Sequence, residues 1–218
     1  MNRLSGILLT HGDANHLGGA ALLLEDFPRI RLVDNPTPDH SAAHKRLQRL
    51  FREHRIKPDN LTAGETFRLS RNVTGHVLFP PRNFSSPIAD DQAYVIRLLV
   101  APATSILFMS DSGVKTEERL LAHRLDLRSD IIVKGQNHSG ESGSDAFLHA
   151  VQSRLIIATS RDFPGHERVS EAWIANLQKR DIKLFRQDET GAVILRFRQN
   201  SWEAQSYFTG EIFRSPSQ

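Results

Sequence analysis

The chain of 218 residues contains no cysteine, which excludes a disulfide framework, a cysteine zinc cluster and a thiol nucleophile. It also has no apolar run approaching the roughly 20 residues that a membrane-spanning helix needs. The first twelve residues are typical of a strand rather than of a signal peptide, because no small-residue cleavage site accompanies them. The sequence therefore predicts a soluble protein without a signal or span, cytoplasmic by default.

The excess of positive over negative charge is small as well. The 28 basic and 25 acidic residues give a formal net charge of +3, too small to indicate nucleic acid by itself. A hydrophobic fraction of 39% is that of an ordinary globular protein, and the length favours a single domain over residues 1–214 with a loose tail at 215–218. What remains to be explained is whether the ten histidines converge.

Predicted strands and helices alternate along the chain. Short apolar runs at 5–10 and 104–109 are typical of buried strands. Apolar residues at helical spacing predict helices over 17–27 and 41–55. Ser144 is predicted to be the N-cap of a further helix that ends at Val151. This pattern predicts an α/β fold in which helices cover sheets.

Polar clusters follow four of the predicted strands. They are the segments 10–19 (THGDANHLGG), 110–113 (SDSG), 135–140 (GQNHSG) and 160–166 (SRDFPGH). In layered α/β proteins, ligands bind beyond one end of the strands, where such loops meet. Imidazole and carboxylate groups together form a ligand set for zinc, manganese or iron. The four clusters together therefore predict a metal site.

The first cluster carries the most specific signal. His11, Asp13 and His16 lie on a short turn that enters a helix, and the spacing i, i+2, i+5 allows all three to point to one place. The alternative is a polar loop with two solvated histidines. Taken singly, the key residues of the other clusters also have ordinary interpretations, as a helix cap or as loop histidines: Asp111, His138 and His166.

In this order, the segments resemble the metallo-β-lactamase-fold superfamily, and more narrowly the hydrolase-like domain of ComEC-type DNA-uptake proteins. THGDANHLGG is similar to that branch's THxDxDHxGG, and DIIVKGQNHSGESGSDAFLHAV to its strand, PHHGS, serine-rich stretch and helix. DDQAYVIRLLVAPATSILFMSD matches a strand–turn–strand pattern that ends in a bridging aspartate, and the segment from GHERVS onward resembles the GHP ending. The resemblance implies an αββα sandwich. Because only ten residues precede His11, the resemblance also implies that this sequence lacks the first N-terminal strands of that fold.

The resemblance also implies a site and a chemistry. Five residues match the metal ligands: His11, Asp13, His16, Asp111 and His138. His166 is expected to complete the site, and Asn137 to donate to the scissile group. One or two divalent ions, zinc or manganese, would polarise a phosphoryl or acyl group and lower the pKa of a water toward roughly 7. DNA is the favoured substrate, and the family suggests association with the bacterial inner membrane.

Several positions depart from the family pattern. Asn15 replaces an aspartate, and Asn137 replaces the first histidine of PHHGS. Phe79 and Glu167 replace a histidine and a proline. An amide is a poorer metal ligand than a carboxylate, which would weaken a second ion. Two alternatives therefore stay open: a degenerate or truncated domain without catalysis, and a hydrolase of an ester other than nucleic acid.

Two features could hold a substrate. In the helix predicted over 41–55, Lys45, Arg49 and Arg52 share one face, which suits either phosphate tracking or an ordinary solvated surface. Three further residues are candidates for substrate binding: Lys134, Ser139 and Ser142. The turn 139–144 could offer backbone N–H groups to a phosphate, or it could be an ordinary loop with a serine cap.

Overall fold

The computed structural model describes residues 4–27, 29–37, 41–138, 142–161, 165, 168–199 and 201–215. Within these residues the strands form an N-terminal sheet, a central sheet and a C-terminal sheet. The N-terminal sheet is parallel, and its strands are β1 (Gly6–Leu8), β2 (Arg31–Asp34) and β3 (Asp59–Asn60). Its helices are α1 (Ala14–Leu17), α2 (Ala20–Asp26) and α3 (Ala42–Glu53).

Helices cover the N-terminal sheet because their apolar residues recur at helical spacing. Leu24 of α2 and Leu47 and Phe51 of α3 are buried against Leu9 and Leu32. Ser41 begins α3 as its N-cap, since its hydroxyl accepts the N–H of His44 at 3.0 Å. The predicted helix over 41–55 is therefore confirmed, whereas the one predicted over 17–27 is shorter, as α2, and is preceded by the separate helix α1.

The central sheet has seven strands in the order β10-β9-β8-β7-β6-β5-β4. They are β4 (Thr66–Ser70), β5 (Val73–Phe79), β6 (Val95–Val100), β7 (Thr104–Ser110), β8 (Ile131–Lys134), β9 (Leu155–Ala158) and β10 (Lys183–Arg186). The strands β4 to β7 pair antiparallel, and β7 to β10 pair parallel. Parallel neighbours need crossover connections, which here contain α4 (Val114–Ala122), α5 (Asp145–Val151) and α6 (Glu171–Lys179).

Each face of the central sheet is buried against a different layer. Because side chains alternate along a strand, Val95 faces the cluster that includes Leu120 and Phe147 of the helices, while Ile96 faces the N-terminal sheet. The C-terminal sheet packs through Trp202 on the same inner face as the N-terminal sheet. Its strands are β11 (Val193–Phe197), β12 (Trp202–Ser206) and β13 (Ile212–Arg214), and α7 (Gln187–Thr190) precedes them. The order of layers is helix, sheet, sheet, helix, which confirms the predicted αββα fold.

Most predicted strands and helices are present, including α5 with Ser144 as its N-cap. The sequence missed β3, α7, β13 and a 3-10 turn at Asp90–Gln92, all of which are too short to show a hydrophobic period. The helix predicted to start at 167 begins at Glu171, because the Ser170 hydroxyl accepts the N–H of Trp173. Among the described residues, no helix combines the length and apolarity that crossing a bilayer requires.

Candidate metal centre

Three chain segments deliver polar side chains to one place between the two halves of the sandwich. The segment after β1 carries His11 and Asp13 on its loop and His16 on α1, the turn before β6 carries Asp90, and the residue after β7 is Asp111. The N–H of Tyr94 donates to the carbonyl of Thr10 at 3.0 Å. A main-chain hydrogen bond therefore joins the loop after β1 to the residue that precedes β6.

One group of potential ligands is formed by His11, His16 and Asp111, whose nitrogen and oxygen atoms lie within 4.8 Å of one another. The Nε2 atom of His16 is 2.9 Å from Oδ2 of Asp111, and Nε2 of His11 is 3.9 Å from the same oxygen. The ring centroids of the two histidines are 4.1 Å apart. The hydrogen bond that His16 donates to the Asp111 carboxylate raises the pKa of His16 above its ordinary value, more than burial lowers it.

A second group shares His11 and adds Asp13 and Asp90 within the same 4.8 Å limit. Nε2 of His11 is 3.7 Å from Oδ1 of Asp90. Burial raises the pKa of Asp90, and the charges of Asp111 and Asp13 raise it further. Asp13 also accepts the N–H of Ala14 at 2.6 Å as the N-cap of α1, which fixes its carboxylate beside the loop.

The donor set fits a divalent cation. Two imidazoles and three carboxylates are nitrogen and oxygen ligands of the kind that zinc and manganese accept. The carboxylates of Asp13, Asp90 and Asp111 converge on the single buried imidazole of His11, which is 1% exposed. Such a concentration of negative charge is compensated best by a cation. The cluster can therefore hold a metal ion, although its geometry does not identify the metal.

Neighbouring residues orient the cluster. Nδ1 of His11 is 3.1 Å from the Thr10 hydroxyl. If Nδ1 carries the ring proton and donates it to that hydroxyl, Nε2 is left unprotonated as the ligand atom. Buried Asn35 donates its amide to the carbonyls of Thr10 at 2.6 Å and of Gln92 at 2.9 Å. The Ser41 hydroxyl donates to the carbonyl of Gly12 at 2.6 Å. These bonds fix the loop after β1 against both α3 and the turn at Asp90.

The residues around Asp111 aim its side chain in the same way. Ser110 has a positive φ of 52°, which turns the chain sharply at the end of β7. A Cβ atom on Gly135 would lie 1.8 Å from Oδ1 of Asp111, so the carboxylate occupies the space that glycine leaves. The amide of Asn137 donates to the carbonyl of Asp111 at 2.9 Å.

The remaining predicted site residues do not all face the cluster. Asn137 is 3% exposed, and its side-chain amide donates to the main chain of Asp111. His138 belongs to neither ligand group, and its backbone N–H donates to Oδ2 of Asp90 at 2.7 Å. Lys134 is 5% exposed with its ammonium 4.7 Å from the ring of Trp173. Ser142 is buried as well. Two predicted residues lie outside the described residues: Ser139 and His166.

The turn before α5 offers little to a phosphate. Glu117 of α4 is fully buried, and its carboxylate accepts the N–H groups of Gly143 and of Ser144, the latter at 3.0 Å. The N–H of Phe147 in the first turn of α5 is also engaged, because it donates to the Ser144 hydroxyl. The backbone donors at 143–144 are therefore engaged within the fold and are not available to a phosphate.

A cavity of about 380 Å3 adjoins the cluster. His16 and Asp111 form part of its wall, and most of the rest is apolar, including Leu8, Leu98 and Phe108 from the facing sheets. An apolar group of a substrate could therefore lie beside the metal centre.

Sequence reasoning missed Asp90 and Asn35. Asp90 stands in the segment ADDQ, where paired carboxylates immediately before a predicted strand gave a signal that could have been used. Asn35 acts through main-chain carbonyls of residues 10 and 92, and no local pattern reveals such partners.

Two bacterial proteins are similar in sequence to this chain. ComE operon protein 3 of Bacillus subtilis (strain 168) is 19% identical over 198 residues, which are 91% of this chain and 25% of that protein. Competence protein ComA of Neisseria gonorrhoeae is 30% identical over 107 residues, 49% of this chain and 16% of that protein. The resemblance to ComEC-type proteins is confirmed. The chain spans a quarter or less of the length of these relatives, and no family model matches it.

Solved structures share the fold. CmlA, a diiron beta-hydroxylase from Streptomyces venezuelae, has a TM-score of 0.54 at 13% identity, covering 84% of this chain and 44% of that one. A metal-dependent hydrolase assigned in Parabacteroides distasonis ATCC 8503 has a TM-score of 0.50 at 12% identity, covering 84% and 77%. At these identities the likeness shows a shared fold and no particular reaction.

Proposed function

We propose that the chain is a metal-dependent hydrolase that cleaves phosphodiesters, with DNA as the favoured substrate. The observation that carries the proposal is the convergence of His11, His16 and Asp111 within 4.8 Å in a fold shared with metal-dependent enzymes. The similarity to Competence protein ComA favours DNA over other phosphodiesters.

In this proposal the cluster acts through charge and position. One or two zinc or manganese ions held by His11, His16 and the neighbouring aspartates would supply a Lewis acid and a water of lowered pKa. Asp111 lies between the two histidines and is the natural bridging ligand. Asn137 donates to the main chain of Asp111, so its proposed role is that of a positioning residue. His138 and His166 stay predicted contributors to the site.

The position and charge of helix α3 support the proposal that the substrate is a polyanion. Its first turn is tied to the metal loop, because Ser41 donates to the carbonyl of Gly12. Lys45, Arg49 and Arg52 are exposed on its surface, while Leu47 and Phe51 face the core. A phosphate backbone engaged by these cations would lead toward the cluster.

A second candidate function is hydrolysis of an ester or thioester that carries an apolar group. The apolar cavity of about 380 Å3 beside His16 and Asp111 favours it. A degenerate domain without catalysis is the third alternative, because Asn15 and Asn137 replace expected family residues.

The proposal is tested with chelated protein reloaded with Mn2+ or Zn2+ and offered a chromogenic phosphodiester, DNA, a thioester and a lactam. We expect turnover of the phosphodiester and of DNA only after reloading. His16→Ala should lower that activity by about 100-fold or more, because loss of even a supporting partner costs about 10- to 100-fold. His123→Ala, at the exposed end of α4, is the matched control.

Each result decides between the candidates. Turnover of the thioester or lactam alone would favour the second function. A folded protein that takes up metal and hydrolyses none of the four substrates would favour the degenerate domain. Activity that survives His16→Ala would contradict the assignment of this cluster as the reaction centre.

A further inference from the structure

Asp90 is a buried carboxylate that faces the metal centre from a turn. It is 6% exposed, and the carboxylates of Asp13 and Asp111 lie near enough to raise its pKa. Among the described residues, no lysine or arginine forms an ion pair with it, whereas its neighbour Asp91 is paired with Lys115 at 3.6 Å. Burial of a carboxylate among like charges is strongly unfavourable unless a cation compensates it.

The distance from Asp90 to His11 suits a metal ion as the compensating cation. Oδ1 of Asp90 is 3.7 Å from Nε2 of His11, too far for a hydrogen bond. Two ligand atoms on one tetrahedral ion, each bonded at about 2.1 Å, stand about 3.4 Å apart. The separation of 3.9 Å between His11 and Asp111 is similar. Each separation suits a pair of metal ligands better than a hydrogen-bonded pair, and Asp90 shares its ligand group with His11 and Asp13.

The scaffold holds Asp90 in this orientation. The N–H of His138 occupies Oδ2 at 2.7 Å, which leaves Oδ1 directed at His11. Asn35 connects the carbonyl of Gln92, in the same turn as Asp90, to the carbonyl of Thr10 beside His11. The turn and the loop after β1 are thus fixed relative to each other before any ion binds, which is the usual condition for a precise ligand site.

We propose that Asp90 is a direct ligand of the ion held by His11, an inference that rests on the proposed metal-dependent function. Asp13 belongs to the same ligand group and contributes a further oxygen, so the ion at His11 has more carboxylate ligands than the sequence motif alone supplies. An oxygen-rich set of this kind favours manganese relative to a purely histidine site.

The test compares Asp90→Asn with Asp91→Asn. Both residues are 6% exposed and adjacent, but only Asp90 faces His11. Asparagine keeps an oxygen that can accept the N–H of His138, so the fold is preserved. Zn2+ and Mn2+ affinities are measured by competition with a chromophoric chelator, and bound metal is measured by mass spectrometry. Thermal unfolding is recorded with and without metal.

We expect Asp90→Asn to lose about 10- to 100-fold in metal affinity, while Asp91→Asn stays within about twofold of the parent chain. The metal-free Asp90→Asn protein should be at least as thermostable as the parent, because a buried charge has been removed, whereas its metal-induced rise in melting temperature should shrink. A merely structural role would lower the stability of the metal-free protein instead.

The outcomes separate the two proposals. Unchanged affinity in Asp90→Asn, with normal binding by the parent chain, overturns the role of Asp90 and leaves the metal-dependent function standing. Failure of the parent chain to bind either ion overturns both. If Asp90→Asn does not fold, Asp90→Glu keeps the carboxylate, and its altered metal affinity or selectivity is then required; affinity and selectivity equal to the parent would overturn the inference.

Discussion

Gly135 shows how a single residue outside the ligand set shapes the metal centre. The carboxylate of Asp111 occupies the place that a side chain at 135 would need, since a Cβ atom there would lie 1.8 Å from Oδ1 and 2.8 Å from Cγ of Asp111. The carbonyl of Ser110 would also be only 3.2 Å away. Any larger residue at this position must therefore move the carboxylate or the end of β7.

Gly135→Ala is expected to weaken metal binding by tenfold or more and to lower the free energy of unfolding by about 1–3 kcal/mol. The reason is that Asp111 must leave the position in which it meets His11 and His16. Chelator competition measures the first effect and denaturant unfolding the second. Gly19→Ala is the control, because a Cβ atom at residue 19 meets nothing within 4 Å. Parental metal affinity in Gly135→Ala would show that the position of this carboxylate is not needed.

At the residue scale, the sequence predicted that side chains of separate loop motifs would meet, but it did not distinguish those that do from His138, which belongs to neither ligand group. The structure brings His11, His16 and Asp111 together because strands ending at a common edge deliver their loops to one place. Their role as metal ligands stays a prediction. Asp90 and Asn35 could not be inferred in the same way. Their partners are 48 and 57 residues away in sequence, at His138 and Gln92, and only the packed sheets define those contacts.

At the element scale, α3 joins the loop after β1, which carries the candidate ligands, to a basic surface. Its apolar positions repeat at helical spacing, which is why the sequence predicted it well, and the cap at Ser41 fixes where it begins. The cap residue also bonds to Gly12 in the metal loop. By contrast, β3 has two residues and α7 has four, so neither contains a full period by which a sequence pattern could be recognised.

Arg49→Glu tests whether α3 contacts DNA. We expect the affinity for duplex DNA to fall about three- to tenfold at low salt, and the slope of log affinity against log salt to decrease by about 1, because a phosphate contact releases about one counterion. Turnover of a small chromogenic phosphodiester should be unchanged, since Arg49 is exposed on the outer layer.

Lys179→Glu, exposed at the end of α6 on the opposite helix layer, provides the matched charge change. If both reversals weaken DNA binding equally, the effect reflects net charge. An equal salt slope in the parent and Arg49→Glu proteins would remove α3 from the DNA-binding surface.

At the scale of the whole molecule, the ligand set joins parts of the chain that are distant in sequence. His11 follows β1 of the N-terminal sheet, Asp90 precedes β6, and Asp111 follows β7 of the central sheet. In the unfolded chain these residues are separated by tens of residues and do not form a site. A metal ion that binds only the folded arrangement therefore adds its binding free energy to the stability of the fold.

Metal addition should consequently raise the melting temperature of the chelated protein. At a free metal concentration 100 times the dissociation constant, the gain is about 2.7 kcal/mol, which corresponds to about 5–10 °C for a domain of this size. Calorimetry or circular dichroism checks this, and the shift should reverse with chelator. Asp111→Asn should reduce the shift strongly, because it removes the carboxylate that lies 2.9 Å from His16 and 3.9 Å from His11. The same shift in Asp111→Asn as in the parent protein would mean that the ion binds elsewhere and that the convergence of these strand ends is not what holds it.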